Sequence, residues 1–265
     1  MNNNYHNLDW RYITENNSEE SNKGIRFENL IENLIKAMFP QEKWRRTGIS
    51  HDGKRDFVYP ADENLLDKKW AECKNYSENL SINTIAPTLV MGAINNIECI
   101  YFFSYSPLND NAIEGIVSYS KNSKKIVQVF DGILLENLIY KYHLVNDIEK
   151  FFPKNTFKNN YTSSRSKFRI VKEVKDSSGN KIYASHVFDV RQSFVISVII
   201  QNLSDDTIRY SLELELSQIS CSNTNTHEGC LKFGQIIECS FFCQTIKKGS
   251  FKYKIKCLEK DTKYK

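Results

Sequence analysis

The stretch Lys69-Trp70-Ala71-Glu72-Cys73-Lys74 determines how this chain is interpreted. We interpret it as a short β-strand. Side chains alternate between the two faces of a strand, so Glu72 and Lys74 are expected on one face and Cys73 on the opposite, packed face. A carboxylate and an ammonium group would then be held side by side on a rigid element.

A second acidic residue precedes this strand. Asp52-Gly53 is a tight-turn signal, and the residues from Asp56 to Tyr59 predict the start of another strand. Residues 62–67 are expected to join the two strands as a hairpin, which would bring Asp56 beside Glu72. Two converging carboxylates repel each other unless a cation lies between them, and such oxygen ligands suit Mg²⁺ or Mn²⁺.

A helix with one apolar face is predicted before the turn. Its apolar residues recur at helical spacing and are Phe27, Leu30, Ile31, Leu34, Ile35 and Met38. Pro40 is expected to end the helix. Glu28 borders the apolar face near the expected helix start. It is a candidate to complete the coordination shell of the metal or to orient a water. The alternative is that the helix dipole alone favours an acid at this position.

These segments resemble the Mrr-type restriction endonucleases of the PD-(D/E)xK nuclease superfamily. That family has Phe-Glu on its first helix, as in Phe27-Glu28, and then a Gly/Asp-rich turn that ends in a metal-binding Asp, as in residues 52–56. A strand with Gln/Glu-x-Lys follows, as in residues 72–74. Lys54-Arg55 is a departure, because the family has smaller or apolar residues there.

The similarity extends over about residues 24–145 in the family's order. Residues 100–104 resemble its fourth strand, residues 106–114 the following turn and helix, and residues 127–138 the closing strand, Asp-Gly turn and last helix. Asp131-Gly132 is interpreted only as that turn. The resemblance implies a restriction-endonuclease-like α/β domain, with a mixed sheet flanked by helices.

The resemblance also implies an activity. Asp56, Glu72, Lys74 and Glu28 would be the catalytic residues, and Asp56, Glu72 and the Cys73 carbonyl would bind Mg²⁺ or Mn²⁺. Lys74 would orient the attacking water or stabilise charge on the phosphate. The chain is then expected to be a DNA endonuclease in bacterial defence against foreign DNA. Such domains usually cut both strands by pairing two protomers, so we expect a homo-oligomer.

Other interpretations stay open. Glu72 and Lys74 could form a solvated strand face, and His51 on the turn could be solvated or contact a phosphate. The whole chain could be a non-catalytic adaptor that binds nucleic acid or protein. It could also be the N-terminal effector part of an antiviral ATPase system. The sequence has no P-loop Gly-x-x-x-x-Gly-Lys, so an ATPase or sensor would be a partner or a further segment.

Composition indicates two domains. We predict a polar arm at residues 1–20, the nuclease domain at 21–152, a linker at 153–166 and a β-sandwich at 167–265, of which the immunoglobulin-like fold is one candidate. Trp10 and Tyr12 in the arm are candidates to dock on the first domain.

The predicted linker and β-sandwich together carry the excess of positive charge. Nineteen Lys and Arg stand against eleven Asp and Glu in residues 153–265, a balance of +8, whereas the whole chain is +4. Phe251, Tyr253, Ile255 and Cys257 are expected to face its core, with a row of lysines at 252, 254 and 256 on the other face. The row is either a soluble face or a track for DNA phosphates, and the domain is expected to position DNA or to mediate assembly.

Cysteine usage and hydropathy indicate the cytoplasm. The seven cysteines are an odd number and lie mostly within apolar strands, which favours reduced thiols. No apolar run approaches the length of a membrane span, and the polar start Met1-Asn2-Asn3-Asn4 predicts no signal peptide. A zinc site is a weaker alternative, because its candidate ligands lack a tight Cys-x₂-Cys spacing; they are Cys221, Cys230, Cys239, Cys243 and His227.

Overall fold

The structure is a computed structural model, and it describes residues 10, 20–47, 55–62, 64–76, 78–149, 167–183, 186–204, 206–217 and 219–260. The chain divides into two compact units, residues 1–165 and 166–265. The predicted linker at 153–166 lies outside the described residues, as does the predicted arm apart from Trp10 and Glu20.

The first unit is a mixed α/β fold, as predicted. Its strands are β1 (Arg45–Arg46), β2 (Phe57–Tyr59), β3 (Lys69–Lys74), β4 (Cys99–Ser104) and β5 (Ile126–Asp131). Its helices are α1 (Glu20–Met38), α2 (Ile82–Ile94), α3 (Asp110–Ser123), α4 (Ile133–Lys141) and α5 (Val145–Glu149). The sheet order follows the chain from β1 to β5. The first two pairings are antiparallel and the last two are parallel.

Helices cover both faces of this sheet. Phe39, just after α1, packs on Tyr101 of β4 with ring centroids 5.3 Å apart. On the opposite side, Gly92 of α2 lies so close to Ile100 that an added Cβ would be 2.5 Å from its Cδ1. Every residue of β4 is buried, which is typical of a parallel strand between two helical layers. We call the side with Tyr101 the α1 face and the side with Ile100 the α2 face.

Helix α1 begins earlier than predicted. The expected apolar residues are buried except Met38, which is half-buried, and the helix ends at Met38, before Pro40. It starts at Glu20, however, so Glu28 lies in its third turn. The explanation of Glu28 by the helix dipole is therefore wrong, because that effect is confined to the first turn. The start was missed because residues 20–23 are polar and add nothing to the apolar periodicity.

Trp10 docks on the first unit, as expected. Its ring is 3% exposed and stacks on Tyr105 at a centroid distance of 5.9 Å. Phe27 of α1 meets it edge-on at 6.2 Å, and its indole N–H donates to Glu136 Oε1 at 3.2 Å. Tyr12, the other residue predicted to dock, lies outside the described residues.

The second unit is built from antiparallel strands, as predicted. They are β6 (Phe168–Asp176), β7 (Ser193–Asn202), β8 (Ile208–Leu216), β9 (Ile219–Cys221), β10 (Thr226–Leu231), β11 (Ile236–Thr245) and β12 (Tyr253–Lys260). One sheet has the order β10-β8-β12 and the other β6-β7-β11-β9. One apolar cluster contains residues from both sheets, among them Ile196, Leu212 and Phe241.

The predicted alternation of β12 is confirmed on its core side. Ile255 is buried, and Phe251, Tyr253 and Cys257 pack against the same cluster. Of the lysines, Lys254 pairs in register with Glu215 of β8, and the Lys256 ammonium forms an ion pair with the same carboxylate. This one acid neutralises part of the lysine row, which favours the soluble face over the phosphate track.

Substitutions of two neighbouring phenylalanines in β11 test which face of this strand packs in the core. Phe241 is fully buried, whereas Phe242 is 52% exposed. We expect Phe241→Ala to lower the free energy of unfolding by about 3–5 kcal/mol, because it leaves a cavity in the core. The matched control Phe242→Ala should cost less than about 1 kcal/mol. Urea unfolding followed by circular dichroism measures both, and equal losses would contradict the assigned facing of β11.

Candidate functional site

The site lies just before β2 begins, beside the part of β3 that runs past it. The two strands pair through Phe57 and Ala71, and the Asp56 N–H donates to the Ala71 carbonyl at 2.9 Å. Alternate residues of a strand direct their amide and carbonyl to the same edge, so the next groups on this edge belong to Cys73. The Cys73 N–H donates to Asp56 Oδ2 at 2.6 Å. The carboxylate of Asp56 thus takes the position of a strand partner.

This hydrogen bond also locates the Cys73 carbonyl. Because the N–H and C=O of one residue in a strand point to the same side, the carbonyl lies on the edge where Asp56 sits. The ladder between β2 and β3 has already ended at Phe57 and Ala71. The two oxygen groups predicted to share a metal are therefore brought to one edge of the sheet.

Glu72 and Lys74 form an ion pair on the α2 face. The Lys74 ammonium donates to Glu72 Oε1, and the two side chains are 9% and 7% exposed for Lys74 and Glu72. The i, i+2 spacing places both on one side, as the strand pattern predicts. They are not a solvated strand face, since less than a tenth of each side chain reaches solvent.

Several carboxylates act on the pKa of the Cys73 thiol. Burial raises its pKa well above the ordinary value, and the carboxylates of Asp56, Glu28 and Glu72 raise it further, in that order. Cys73 was expected to pack among apolar residues. Instead its side chain is half-buried on the α1 face, and Asp56 also accepts a hydrogen bond from the thiol. Three carboxylates from three segments act on one atom.

Glu28 has a cationic partner that the sequence did not indicate. Arg46 of β1 forms an ion pair with the Glu28 carboxylate and donates to Asn29 Oδ1 at 2.7 Å. It lies 3.9 Å from Glu32. Arg46 thereby fastens α1 to the first strand of the sheet. Glu28 acts on Cys73 electrostatically while its own carboxylate is held by Arg46.

A buried polar row crosses the sheet beside the ion pair, and sequence reasoning missed it. Lys74, Ser104 and Asp131 are register partners in the parallel ladders, so their side chains project from the same face. Ser104 and Asp131 have no exposed surface, and Asp131 Oδ2 accepts from the Leu108 N–H at 3.3 Å. Gly132 with φ 50° does make the predicted turn. An acidic residue at the end of an otherwise apolar strand is the sequence feature that could have identified Asp131 as part of this row.

The donor chemistry fits the predicted metal. Among the described residues no group of three or more His, Cys, Asp or Glu side chains could hold an ion. The predicted set is of another kind, because it consists of two carboxylates and a main-chain carbonyl. All three are oxygen donors of the type that Mg²⁺ and Mn²⁺ prefer. The protonated Cys73 thiol would not compete as a ligand.

The turn before the site is described only in part. His51, Asp52-Gly53 and Lys54 lie outside the described residues. Arg55, part of the departure from the family pattern, stacks over the Trp70 ring at 4.8 Å and lies 3.5 Å from Asp67. The half-buried guanidinium supports the β2–β3 connection.

The zinc alternative gains no support from the second unit. Cys239 and Cys243 face its core, Cys230 is exposed on another sheet, and His227 Nε2 lies 3.0 Å from the Ser240 carbonyl. As stated above, no metal-binding group of side chains occurs in the described part of the chain.

Comparisons with known proteins add no relative. The sequence matches no model of a known protein family, and the search of curated proteins finds no match either. Within the described ranges, every helix is too short or too polar to cross a membrane.

The Cys73 thiol gives a direct test of the acidic cluster. In the folded protein we expect very slow alkylation of Cys73 by iodoacetamide at pH 8, because the thiol stays protonated. Asp56→Asn should speed it several-fold, since the amide keeps an acceptor for the Cys73 N–H but removes the charge that raises the pKa. Mass spectrometry of the peptide measures the rate. The control Glu98→Gln, at an exposed residue, should not change it, and an equal rate in Asp56→Asn would refute the cluster.

The buried ion pair gives a second test. We expect Lys74→Met to destabilise the fold by about 3–5 kcal/mol, because it leaves the Glu72 carboxylate buried without its cation. The double variant Glu72→Gln with Lys74→Met should recover most of that loss. Urea unfolding of the native chain, the two single variants and the double variant gives the coupling energy between the two side chains. If the double variant loses as much stability as the two single variants together, the side chains are independent.

Proposed function

We propose that this chain is a metal-dependent DNA endonuclease of the PD-(D/E)xK type, whose chemistry resides in the first unit. One observation carries the proposal: Asp56 Oδ2 accepts the Cys73 N–H, directly between Glu72 and Lys74 in the strand. The Asp56 carboxylate therefore lies at the same sheet edge as the backbone of Cys73, the residue between Glu72 and Lys74. That combination is the one the resemblance to Mrr-type restriction endonucleases requires.

The roles of the residues follow from their chemistry. A divalent cation, Mg²⁺ or Mn²⁺, held by Asp56, Glu72 and the Cys73 carbonyl would supply neutralising charge at the scissile phosphate and an acidified water. The Cys73 N–H keeps the Asp56 carboxylate in place. Lys74 carries three N–H donors, of which Glu72 Oε1 takes one. The others would serve the phosphate oxygen or the attacking water.

Burial strengthens these interactions. Glu72 and Lys74 are nearly excluded from solvent, and a charge acts more strongly on its neighbours where water is scarce. The Arg46 guanidinium keeps the third acid, Glu28, in a fixed position at the edge of the cluster. In this proposal Glu28 tunes the field at the site from outside the set of metal ligands.

The wider proposal concerns fold, partners and setting. We propose a restriction-endonuclease-like topology for the first unit and an immunoglobulin-like sandwich for the second, with domains near residues 21–152 and 167–265. DNA is the substrate, and two or more copies act together in the cytoplasm in defence against foreign DNA. An ATPase or sensor partner is part of the alternative in which the chain is an effector.

A second candidate function is a non-catalytic adaptor for nucleic acid or protein. One observation favours it: Glu72 and Lys74 already pair with each other in a nearly closed position. A pair of this kind can be purely structural.

Plasmid cleavage separates the two functions. We expect the full chain to nick or linearise plasmid DNA with Mg²⁺ or Mn²⁺ and to lose this activity in EDTA. The double variant Glu72→Gln with Lys74→Met should lose at least about a hundredfold in cleavage rate, since a metal ligand and a charge-stabilising group are both removed. It should keep most of the DNA affinity, because the net charge does not change.

Controls make the result specific. Lys121→Ala, an exposed lysine on α3, should cleave like the native chain. Circular dichroism should show that the double variant is folded. Metal-dependent cleavage that survives in a folded double variant would defeat the site assignment, and absence of cleavage in every metal would favour the adaptor.

A further inference from the structure

Two cysteines face each other across antiparallel strands of the second unit. Cys221 of β9 is the register partner of Cys243 of β11. The adjacent Ser222 N–H donates to the Phe242 carbonyl at 2.8 Å, and the Phe242 N–H donates to Asn223 Oδ1, so the ladder bond flanks the cysteine pair at residues 222 and 242. Pair types alternate along an antiparallel ladder, which puts Cys221 and Cys243 at a non-hydrogen-bonded position. The Cα atoms at such positions are about 4.5 Å apart, within the range that a disulfide spans.

The two thiols also point to the same side of the sheet. Cys243 is buried in the apolar cluster, and Cys221 is partly buried against that cluster. Burial and then the neighbouring Cys221 thiol raise the pKa of Cys243 to about 12. The Cys221 thiol itself donates to Asn223 Oδ1 at 3.0 Å. Cys221 is the more accessible member of the pair and Cys243 the enclosed one.

The other cysteines of this unit lack that relation. Cys239 is opposite Val198, Cys257 is opposite Leu212 and Cys230 is opposite Arg209. Within the described strands, Cys221 and Cys243 are thus the one pair of thiols that are register partners.

We propose that Cys221 and Cys243 form a redox modification site, at which a hydroperoxide converts the two thiols into a cross-strand disulfide. The Cys221 thiolate attacks the peroxide O–O bond, giving a sulfenic acid and releasing water from hydrogen peroxide. The Cys243 sulfur then loses its proton and displaces the hydroxyl group as a second water. Two thiols are oxidised to one disulfide and one peroxide is reduced to two waters.

The bond would fix an edge of the sheet. Strand β9 has three residues and lies at the end of the order β6-β7-β11-β9. A covalent link to β11 closes the loop from residue 221 to residue 243 and restricts the unfolded chain. Oxidation would therefore stabilise the second unit independently of any activity of the first.

The test uses the full reduced chain treated with hydrogen peroxide, followed by alkylation of the remaining thiols and peptide mapping. We expect a linked peptide pair lighter by two hydrogens, reversed by dithiothreitol, together with a rise of several degrees in the Tm of the second unit. Cys221→Ser and Cys243→Ser should each abolish the link and the rise. Cys239 and Cys243 are so close in sequence that one peptide can contain both, and its mass alone does not show which of them is linked to Cys221. The serine variants make that assignment.

Cys230→Ser is the matched control and should keep both effects, since this exposed cysteine has no thiol opposite it. Oxidation of Cys230 in the native chain shows that the peroxide treatment worked. The proposal is overturned by unlinked Cys221 and Cys243 in a sample where Cys230 is oxidised. It is also overturned by a link that persists in Cys243→Ser and disappears in Cys239→Ser.

Discussion

The buried contact between Lys74 and Glu72 is the constraint on which the first unit depends. An ammonium or a carboxylate taken out of water without a partner costs several kcal/mol, and the pair occupies the strand between β2 and β4. The attraction between the two charges offsets the desolvation cost of each. Replacing either residue alone would leave the other charge buried without its partner.

The late start of β2, at Phe57, is the second feature on which the site depends. A longer β2 would use the Cys73 amide and carbonyl for ordinary strand pairing and would bury the edge. Because pairing stops at Phe57, the Asp56 carboxylate reaches the backbone instead. The polarity of the site therefore has two sources. One is the charged side chains, and the other is the N–H and C=O of Cys73, which do not pair with β2.

Strong periodic signals made much of the fold predictable. The predicted strand at 100–104 lies within β4, the second unit consists of strands as expected, and the apolar face of α1 is correct. These segments are long or strongly apolar, so local pattern and burial agree. The hairpin of β2 and β3 was predicted from its turn residues and is antiparallel as expected.

Features that depend on contacts far apart in sequence were not predictable. Nothing near Arg46 indicates that it would meet Glu28, because that contact requires α1 to cross β1. The burial of Asp131 follows from its place in a three-strand row, which needs the register of two ladders. The opposition of Cys221 and Cys243 is likewise a matter of register, and a slip of one residue would send the two thiols to different faces.

The docking of Trp10 has a consequence for how the chain is made. Its hydrogen-bond partner Glu136 is 126 residues further along, so the contact cannot form until most of the first unit has left the ribosome. At about 5–20 residues per second the wait is roughly 6–25 s, during which a large aromatic side chain is exposed. Trp10 must therefore be among the last residues of the described part of the first unit to make its final contacts on a nascent chain.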